Sequence, residues 1–374
     1  MTFYIEFKNA LIGKVDPLTV GSFSFMFGLF NVYAGAKLLL KDFAREHNND
    51  IKTGMDVDIH FVDADNTEKG YIVNMAVLSY NKVPGPSTTD YIDITLVSKS
   101  YFYNEIGTTA HKGTVSQIVE DIFRKNLSKV YSSLDCQDSN EKDRIRYQLG
   151  ERNIDFIDRI SKYAYIDNKP VYLYSDAKGN LNFKGISNFE KETPKYLIMP
   201  FLAQQNHQKS TNDLTTIPLT AMECTFGGTD KGSISEYTSQ FCTDVFVSPG
   251  EYNDAIVYNN NEEGNAQSEV LSPSKKEFYN WNLTPEDALG ISVRKSFERM
   301  ADTYIMNAVF DSFLVDELPI GRVSYVLLPY TPTTQSSNGS EVNAGEGKYM
   351  VTKVKFVYEN EMLKTYARFL QVGY

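Results

Sequence analysis

The sequence predicts an α+β protein, mainly β, in which two similar small antiparallel β units, each a barrel or sheet, flank an inserted α+β domain. Three observations carry this expectation. Aromatic residues make up 13% of the chain, with 25 Tyr and 23 Phe, and aromatics favour the pleated, half-buried surface of a strand. Apolar residues alternate with period two through much of residues 1–105 and 304–374. Between these regions two stretches take up the 3.6-residue period of amphipathic helices.

A chain of 374 residues is longer than one hydrophobic core usually supports. Three domains are expected: 1–108, a first β-barrel domain; 109–187, an α+β domain of two helices and a hairpin; and 188–374, a second β-barrel domain with insertions. Those insertions are an irregular stretch at 227–283 and a Ser/Thr/Asn/Gly-rich loop at 331–347.

The elements follow in order. Tyr4, Ile5, Phe7 and Leu11 open a strand. Pro17 to Ala36 carries no charge, yet Pro17, Gly21, Gly28 and Gly35 dilute it below the roughly 20 predominantly apolar residues of a membrane span. Within it Phe23, Phe25 and Phe27 alternate as in a strand, and they are candidate interface residues. Lys37–Glu46 reads as a short helix that Asn48 and Asn49 would stop. Val57, Ile59 and Phe61 then alternate in a strand, followed by strands at Tyr71–Tyr80 and Tyr91–Val97 joined by short turns.

Thr114 and Gln117 form a capping-box signature ahead of the apolar face Val115, Ile118, Val119, Ile122 and Phe123. A second helix, Asn153–Tyr163, should bury Phe156, Ile157 and Ile160, with Asp155 and Arg159 paired four residues apart on its exposed side. A hairpin follows, Val171–Tyr174 and Leu181–Phe183. After strands at Ala221–Phe226 and Phe241–Val247, Thr284-Pro285-Glu286-Asp287 starts a helix running to Met300. Strands close the chain at Tyr304–Val315, Val323–Leu328, Tyr349–Tyr358 and Lys364–Val372. These last strands echo the early ones. Gly54 and Gly321 each precede a strand, and Tyr71…Tyr80 resembles Tyr349…Tyr358, which suggests a duplicated β unit.

Chemistry is sparsely signalled. Of four histidines (His47, His60, His111, His207), none has a His or Cys at metal-ligand spacing, so no metal site, catalytic residue or cofactor is expected. Asp63 and Asp65 resemble the start of a calcium loop, but Glu68 stands where that loop needs Gly. Gly227–Gly232 lacks P-loop spacing. The three cysteines, Cys136, Cys224 and Cys242, are too scattered for a disulfide framework, which fits synthesis in a reducing cytoplasm. The start shows no apolar segment of a secretory signal, and no stable membrane insertion is expected. A net charge of −11 argues against gripping DNA, which needs basic patches.

The segment Tyr147-Gln148-Leu149-Gly150-Glu151-Arg152-Asn153-Ile154-Asp155-Phe156-Ile157-Asp158-Arg159-Ile160 resembles the Asp-Phe-hydrophobic-x-Arg-hydrophobic helix of a known family. That family comprises the central baseplate hub proteins of contractile phage tails and the hub region of VgrG-type spike proteins. The following hairpin and the run Leu318-Pro319-Ile320-Gly321-Arg322-Val323 fit the same order. The resemblance implies structural roles for Asp155, Phe156, Ile157, Arg159, Ile160, Pro319 and Gly321, and a ring-forming pair of barrels. It also implies a homotrimer joining a hexameric tail tube or tube initiator to a trimeric central spike, with baseplate wedge proteins around it and DNA only in transit. The expected location is the virion tail baseplate. VgrG-type chains run on into a spike whereas this sequence stops at Tyr374, so the spike is expected as a separate partner. The alternatives are the hub of a non-contractile tail tip, of a contractile injection or secretion machine, or, further off, a cell-wall hydrolase.

Overall fold

The alternating pattern of the first hundred residues becomes seven strands: β1 (Thr2–Phe7), β2 (Lys14–Val15), β3 (Val20–Gly28), β4 (Asn31–Phe43), β5 (Asp56–Val62), β6 (Tyr71–Val83) and β7 (Thr89–Ser98). A computed structural model describes residues 2–9, 12–43, 50–62, 70–85, 89–103, 105–200, 214–226, 256–260, 266–270, 289–295, 297, 304–327, 333–335, 341–343, 347–359 and 362–373. The expected strand Phe241–Val247, the cap at Thr284 and the turn at Asp63 lie outside these residues. The seven strands pair in the order β3-β4-β7-β6-β5-β1-β2, antiparallel at every step.

Two expectations are corrected here. The predicted helix at 37–46 is strand as far as Phe43. Ala34, Ala36, Leu38 and Leu40 are buried in alternation, so Leu38-Leu39-Leu40 is a buried strand whose apolar run imitates a helix. Phe23, Phe25 and Phe27 are not an exposed interface either. They are at most 1% exposed, and the Phe25 and Phe27 rings lie 6.3 and 5.8 Å from that of Phe356. The chain's own last strands cover them.

Residues 106–190 leave this sheet. They form β8 (Ile106–Gly113), α1 (Val115–Ile122), β9 (Leu134–Cys136), β10 (Arg144–Arg152), α2 (Asn153–Ser161), β11 (Tyr165–Ile166), β12 (Lys169–Ser175), β13 (Leu181–Gly185) and α3 (Ile186–Glu190). Thr114 caps α1 with a complete capping box through Gln117, as the sequence predicts. Val115, Ile118, Val119 and Ile122 of α1 meet Ile154, Phe156, Ile157 and Ile160 of α2 in a core of their own, closed by Val171, Leu173, Leu181 and Phe183 of the hairpin.

The chain then returns as β14 (Tyr196–Pro200), β15 (Thr215–Leu219), β16 (Ala221–Phe226), β17 (Ile256–Asn260), β18 (Ala266–Val270), β19 (Tyr304–Phe310), β20 (Val323–Val326), β21 (Thr333–Gln335), β22 (Glu341–Asn343), β23 (Gly347–Glu359) and β24 (Met362–Gly373). β17 pairs with β18, and β21 with β22. The stretches expected to be irregular thus each hold a short hairpin. The other strands pair in the order β16-β19-β24-β23-β20-β14-β15. Taken in chain order, strands 1 to 7 of the first unit correspond one for one to β14, β15, β16, β19, β20, β23 and β24. One departure is direction: β14 runs parallel to β15 and β20, whereas β1 runs antiparallel to β2 and β5.

The correspondence extends to single hydrogen bonds. Gly54 N–H donates to Val77 O at 2.8 Å and Gly321 N–H to Val351 O at 2.9 Å. Val77 N–H returns to Met55 O and Val351 N–H to Arg322 O, both at 2.9 Å. Met55 N–H bonds Lys52 O and Arg322 N–H bonds Pro319 O, both at 3.1 Å. Gly54 and Gly321 share left-handed φ values of 82° and 85°. In both units a bulge follows three residues after the β6 or β23 residue (Met75, Tyr349) that starts this register: one falls between Val77 and Ser79, the other between Val351 and Lys353. Val77 therefore corresponds to Val351. The glycines echo as the sequence suggests, but the tyrosines do not, because this register is four residues away from the one that superposes Tyr71 on Tyr349.

β3 joins the two units by pairing with β23, Phe23 opposite Tyr358 through Gly28 opposite Lys353. One 14-stranded sheet and one apolar core run through both units.

The two equivalent glycines should respond differently to a methyl group. At Gly54 a Cβ would meet open space, whereas at Gly321 it would sit 2.3 Å from the Phe189 ring. Gly54→Ala should cost about 1–2 kcal/mol, the price of a left-handed L-residue. Gly321→Ala adds overpacking of about 1–3 kcal/mol. Urea unfolding of the two variants measures the difference, and equal losses would contradict it.

Candidate assembly surfaces

Burial sorts the motif of α2. Ile154, Phe156, Ile157 and Ile160 are all fully buried and hold the helix against α1 and the hairpin. Asp155 and Arg159 do not pair with each other as expected. Arg159 Nε donates to Glu151 Oε2 at 3.0 Å and its Nη2 to Tyr147 O at 3.0 Å, while the guanidinium lies 5.3 Å from the centre of the Phe156 ring. The Glu151 bond raises the Arg159 pKa. Asp155 instead accepts from the Tyr33 hydroxyl of β4 at 3.0 Å. A planar guanidinium prefers a forked carboxylate, and the bulge between Leu149 and Glu151 presents one. Asp155 is left free to tie the inserted domain to the first unit. Pro319 and Gly321 build the turn before β20, described above.

A polar network that sequence reading missed holds the start of α1. Glu141, only 3% exposed, accepts from Val115 N–H and from Ser139 Oγ, and Ser139 and Ser116 bond each other's backbone N–H groups. A carboxylate at a helix N-terminus is favoured by the helix dipole. It comes from a loop 26 residues downstream, a distance no local motif could signal.

The apolar surface lies elsewhere than expected. β8 and β10 form a two-stranded ribbon. On β10, Ile145, Tyr147 and Leu149 are 55%, 59% and 76% exposed, and Ile106 on β8 is 69% exposed. Their alternation with buried Gln148 puts the three on one face. Period two is present at 145–149, but alternation by itself does not tell which face of a ribbon is covered. Large apolar side chains grouped at a surface mark interaction sites.

Two clusters of polar groups could suggest chemistry. Glu6, Asp58 and His60 converge across β1 and β5, which their spacing in sequence could not show. Lys8 fills the cluster, with its Nζ 2.8 Å from both Glu6 and Asp58, and His60 lies 3.1 Å from Glu6. Hydrogen bonds from Lys8 and then His60 hold the Glu6 carboxyl below its usual pKa, and Asp58 and Glu6 raise that of Lys8. The arrangement is an ion-pair ladder with its cation already in place. The second cluster lines a cleft of about 280 Å³ between the ribbon and α1. There His111 lies 3.2 Å from Gln148 Oε1, Gln148 donates to Glu151 O and Asn153, and Lys125 bonds Asp121. Its polar groups are engaged with one another. Cys136 is partly buried, and burial pushes its thiol up to about 12.

No family model matches the sequence, and no curated protein matches it. Solved structures do. The 43 kDa tail protein of prophage MuSo2 from Shewanella oneidensis superposes with a TM-score of 0.59 at 11% identity, over 99% of this chain and 98% of that one. The fold is that of a phage tail protein. A tail protein from Neisseria meningitidis MC58 gives a TM-score of 0.56 at 9% identity, over 99% and 97% of the two chains. An Escherichia coli component of the type VI secretion system, described as structurally similar to the T4 bacteriophage tail proteins gp27 and gp5, gives 0.51 at 10% identity, over 99% and 78%. Among the described residues, no helix of this tail-protein fold is long and apolar enough to cross a membrane.

The pairing of Arg159 is testable by double-mutant cycles. Arg159 and Glu151 should couple by about 0.2–1 kcal/mol, as expected for partly exposed ion pairs, and Arg159 and Asp155 by nearly nothing. The reverse order would restore the helix-surface pair. Cys136 should alkylate at pH 8 many-fold more slowly in the folded chain than in urea, read by peptide mass mapping; equal rates would place the thiol in solvent.

Proposed function

We propose that the chain is a structural subunit of a phage tail baseplate, its central hub, rather than an enzyme. In this reading each β unit is a small barrel and three copies close a ring. Six near-equivalent units then face a hexameric tail tube or tube initiator on one side, and a trimeric central spike seats on the other. Wedge proteins surround the ring, and DNA passes through its channel without being held. The protein is made in the host cytoplasm and resides in the virion tail.

The observation that carries this reading is the repeat itself. Two units with one strand order in one chain are what a three-fold object needs to present six similar surfaces. The tail-protein fold over 99% of the chain supports the same reading. The net charge of −11 disfavours retention of DNA by like-charge repulsion. The exposed stripe Ile145, Tyr147 and Leu149 is the apolar surface such an assembly would cover. A second reading, the hub of a contractile secretion machine, draws on the likeness to the Escherichia coli component.

Light scattering across a concentration series tests the hub. A species of about 127 kDa, three times 42.4 kDa, is expected by closure of heterologous contacts; a monomer at every concentration overturns the ring. Leu149→Asp should leave the chain folded while weakening its binding to tail partners. Phe25→Asp should instead prevent folding, because an unpaired carboxylate in that core costs several kcal/mol against a typical total stability of about 5–15 kcal/mol.

A further inference from the structure

Charge is one-sided where the two units join. β4, β3, β23 and β24 lie side by side in the sheet. They carry seven of the chain's 37 Lys and Arg but only two of its 48 Asp and Glu, Asp42 and Glu359. Asp42 is buried. Leu38, Val354, Phe356, Ala367 and Phe369 point into the core, so alternation turns the cations between them to the outer face. Register sets them in three neighbouring rows. Lys37 stands opposite Ser24, Ser24 opposite Val357, and Val357 opposite Lys364. In the next row Met26 faces Lys355 and Lys355 faces Tyr366; in the third, Gly28 faces Lys353 and Lys353 faces Arg368. Lys37 and Lys355 are exposed, and Lys353, Lys364 and Arg368 partly so. β3 offers this face only Ser22, Ser24, Met26 and Gly28. It is an uncharged floor between two lysine-bearing strands about 10 Å apart. Lys364 reaches Asp311 at 3.2 Å. Lys353 and Arg368 form a like-charge pair directly opposite each other, which is destabilising by itself.

We propose that this cationic face receives the acidic surface of a second copy of the chain. The proposal rests on the hub reading and deepens it by naming a face that closes the ring. Acids outnumber bases across the rest of the chain, so every copy brings the complementary charge. The face also occurs once per chain. By the register that equates Val77 with Val351, Ser79, Asn81, Asp93 and Thr95 of the first unit correspond to Lys353, Lys355, Tyr366 and Arg368. None of those four is a cation. A contact with a hexameric tube would draw on features present in both units, whereas one cationic face per chain suits a contact made once per subunit. Each copy then offers one side and accepts another, the head-to-tail arrangement of a closed ring. Opposite potentials steer such an encounter and fix its register. The net charge of −11 repels a nucleic acid, which favours a protein occupant.

The test is the mass of the full chain in solution, by light scattering, with circular dichroism to check the fold. At low ionic strength the wild type should reach about 127 kDa, three times 42.4 kDa, and about 1 M salt should drive it towards the monomer by screening. Lys353→Glu combined with Lys355→Glu should stay folded and raise the dissociation constant of the assembly at least tenfold. Lys353→Gln with Lys355→Gln, which only removes charge, should weaken it in the same direction and takes over the test if the first pair does not fold. Lys125→Glu with Lys129→Glu makes the same change of charge on the inserted domain and should assemble like the wild type. Full assembly of the Lys353 and Lys355 variants overturns the proposal and leaves the hub reading standing. Equal weakening by the Lys125 and Lys129 pair overturns it too, because net charge and not this face would then be responsible. A short DNA duplex bound by the wild type and lost by the Lys353 and Lys355 variants, with their mass unchanged, assigns the face to nucleic acid and overturns the protein contact. A wild-type monomer at every concentration overturns both the contact and the ring.

Discussion

β23 is the strand on which the rest of the fold depends. It is 13 residues long, enough to bond β20 and then β3 along one edge while β24 covers the other. The bulge at Thr352 sits where the neighbour changes, and Leu29 N–H bonds the Thr352 carbonyl at 2.8 Å. An extra residue in one strand twists and bends it, which lets one strand serve two partners. The Phe25, Phe27 and Phe356 cluster then fuses two repeats into one core, because burying each aromatic ring contributes about 1.5–3 kcal/mol.

Much of the fold was legible in the residues. Strands 56–62 and 89–98, the capping box at Thr114 and the hairpin after α2 each have a local cause: alternation, a side-chain cap, a turn held by Asp176. What escaped has non-local causes. Leu38-Leu39-Leu40 and Phe23–Phe27 are apolar runs whose neighbours lie far along the chain, so local pattern assigned the first to a helix and the second to an exposed face. The duplication was visible at Gly54 and Gly321, where backbone geometry demands one residue type. It was misaligned at the tyrosines, where many side chains would serve.

The candidate surfaces follow the same division. Phe156, Ile157 and Ile160 were legible as the buried stripe because helical period alone sets it. The partner of Arg159 was not, since Glu151 precedes the helix and becomes a partner through a bulge. Ile145, Tyr147 and Leu149 carried a readable alternation, but alternation does not tell which face of a ribbon is covered. The inserted domain thus stands on its own apolar core, on Tyr172, Tyr174, Ile186 and Phe189, which enter the core of the β units, and on polar ties such as Tyr33 to Asp155 and Ser175 to the Val32 carbonyl.

The pairing of Phe25 with Phe356 also sets a timetable. The two residues are separated by 331 positions, so on the ribosome β3 emerges long before the strand that covers it. Contacts of such sequence separation make folding slow, and synthesis at about 5–20 residues per second leaves the phenylalanine strand waiting for tens of seconds. During that interval its apolar face and free edge are open to other nascent chains. The inserted domain, whose core closes within residues 115–183, can be complete well before then. Molecular chaperones would therefore be needed for the outer repeats rather than for the middle of the chain.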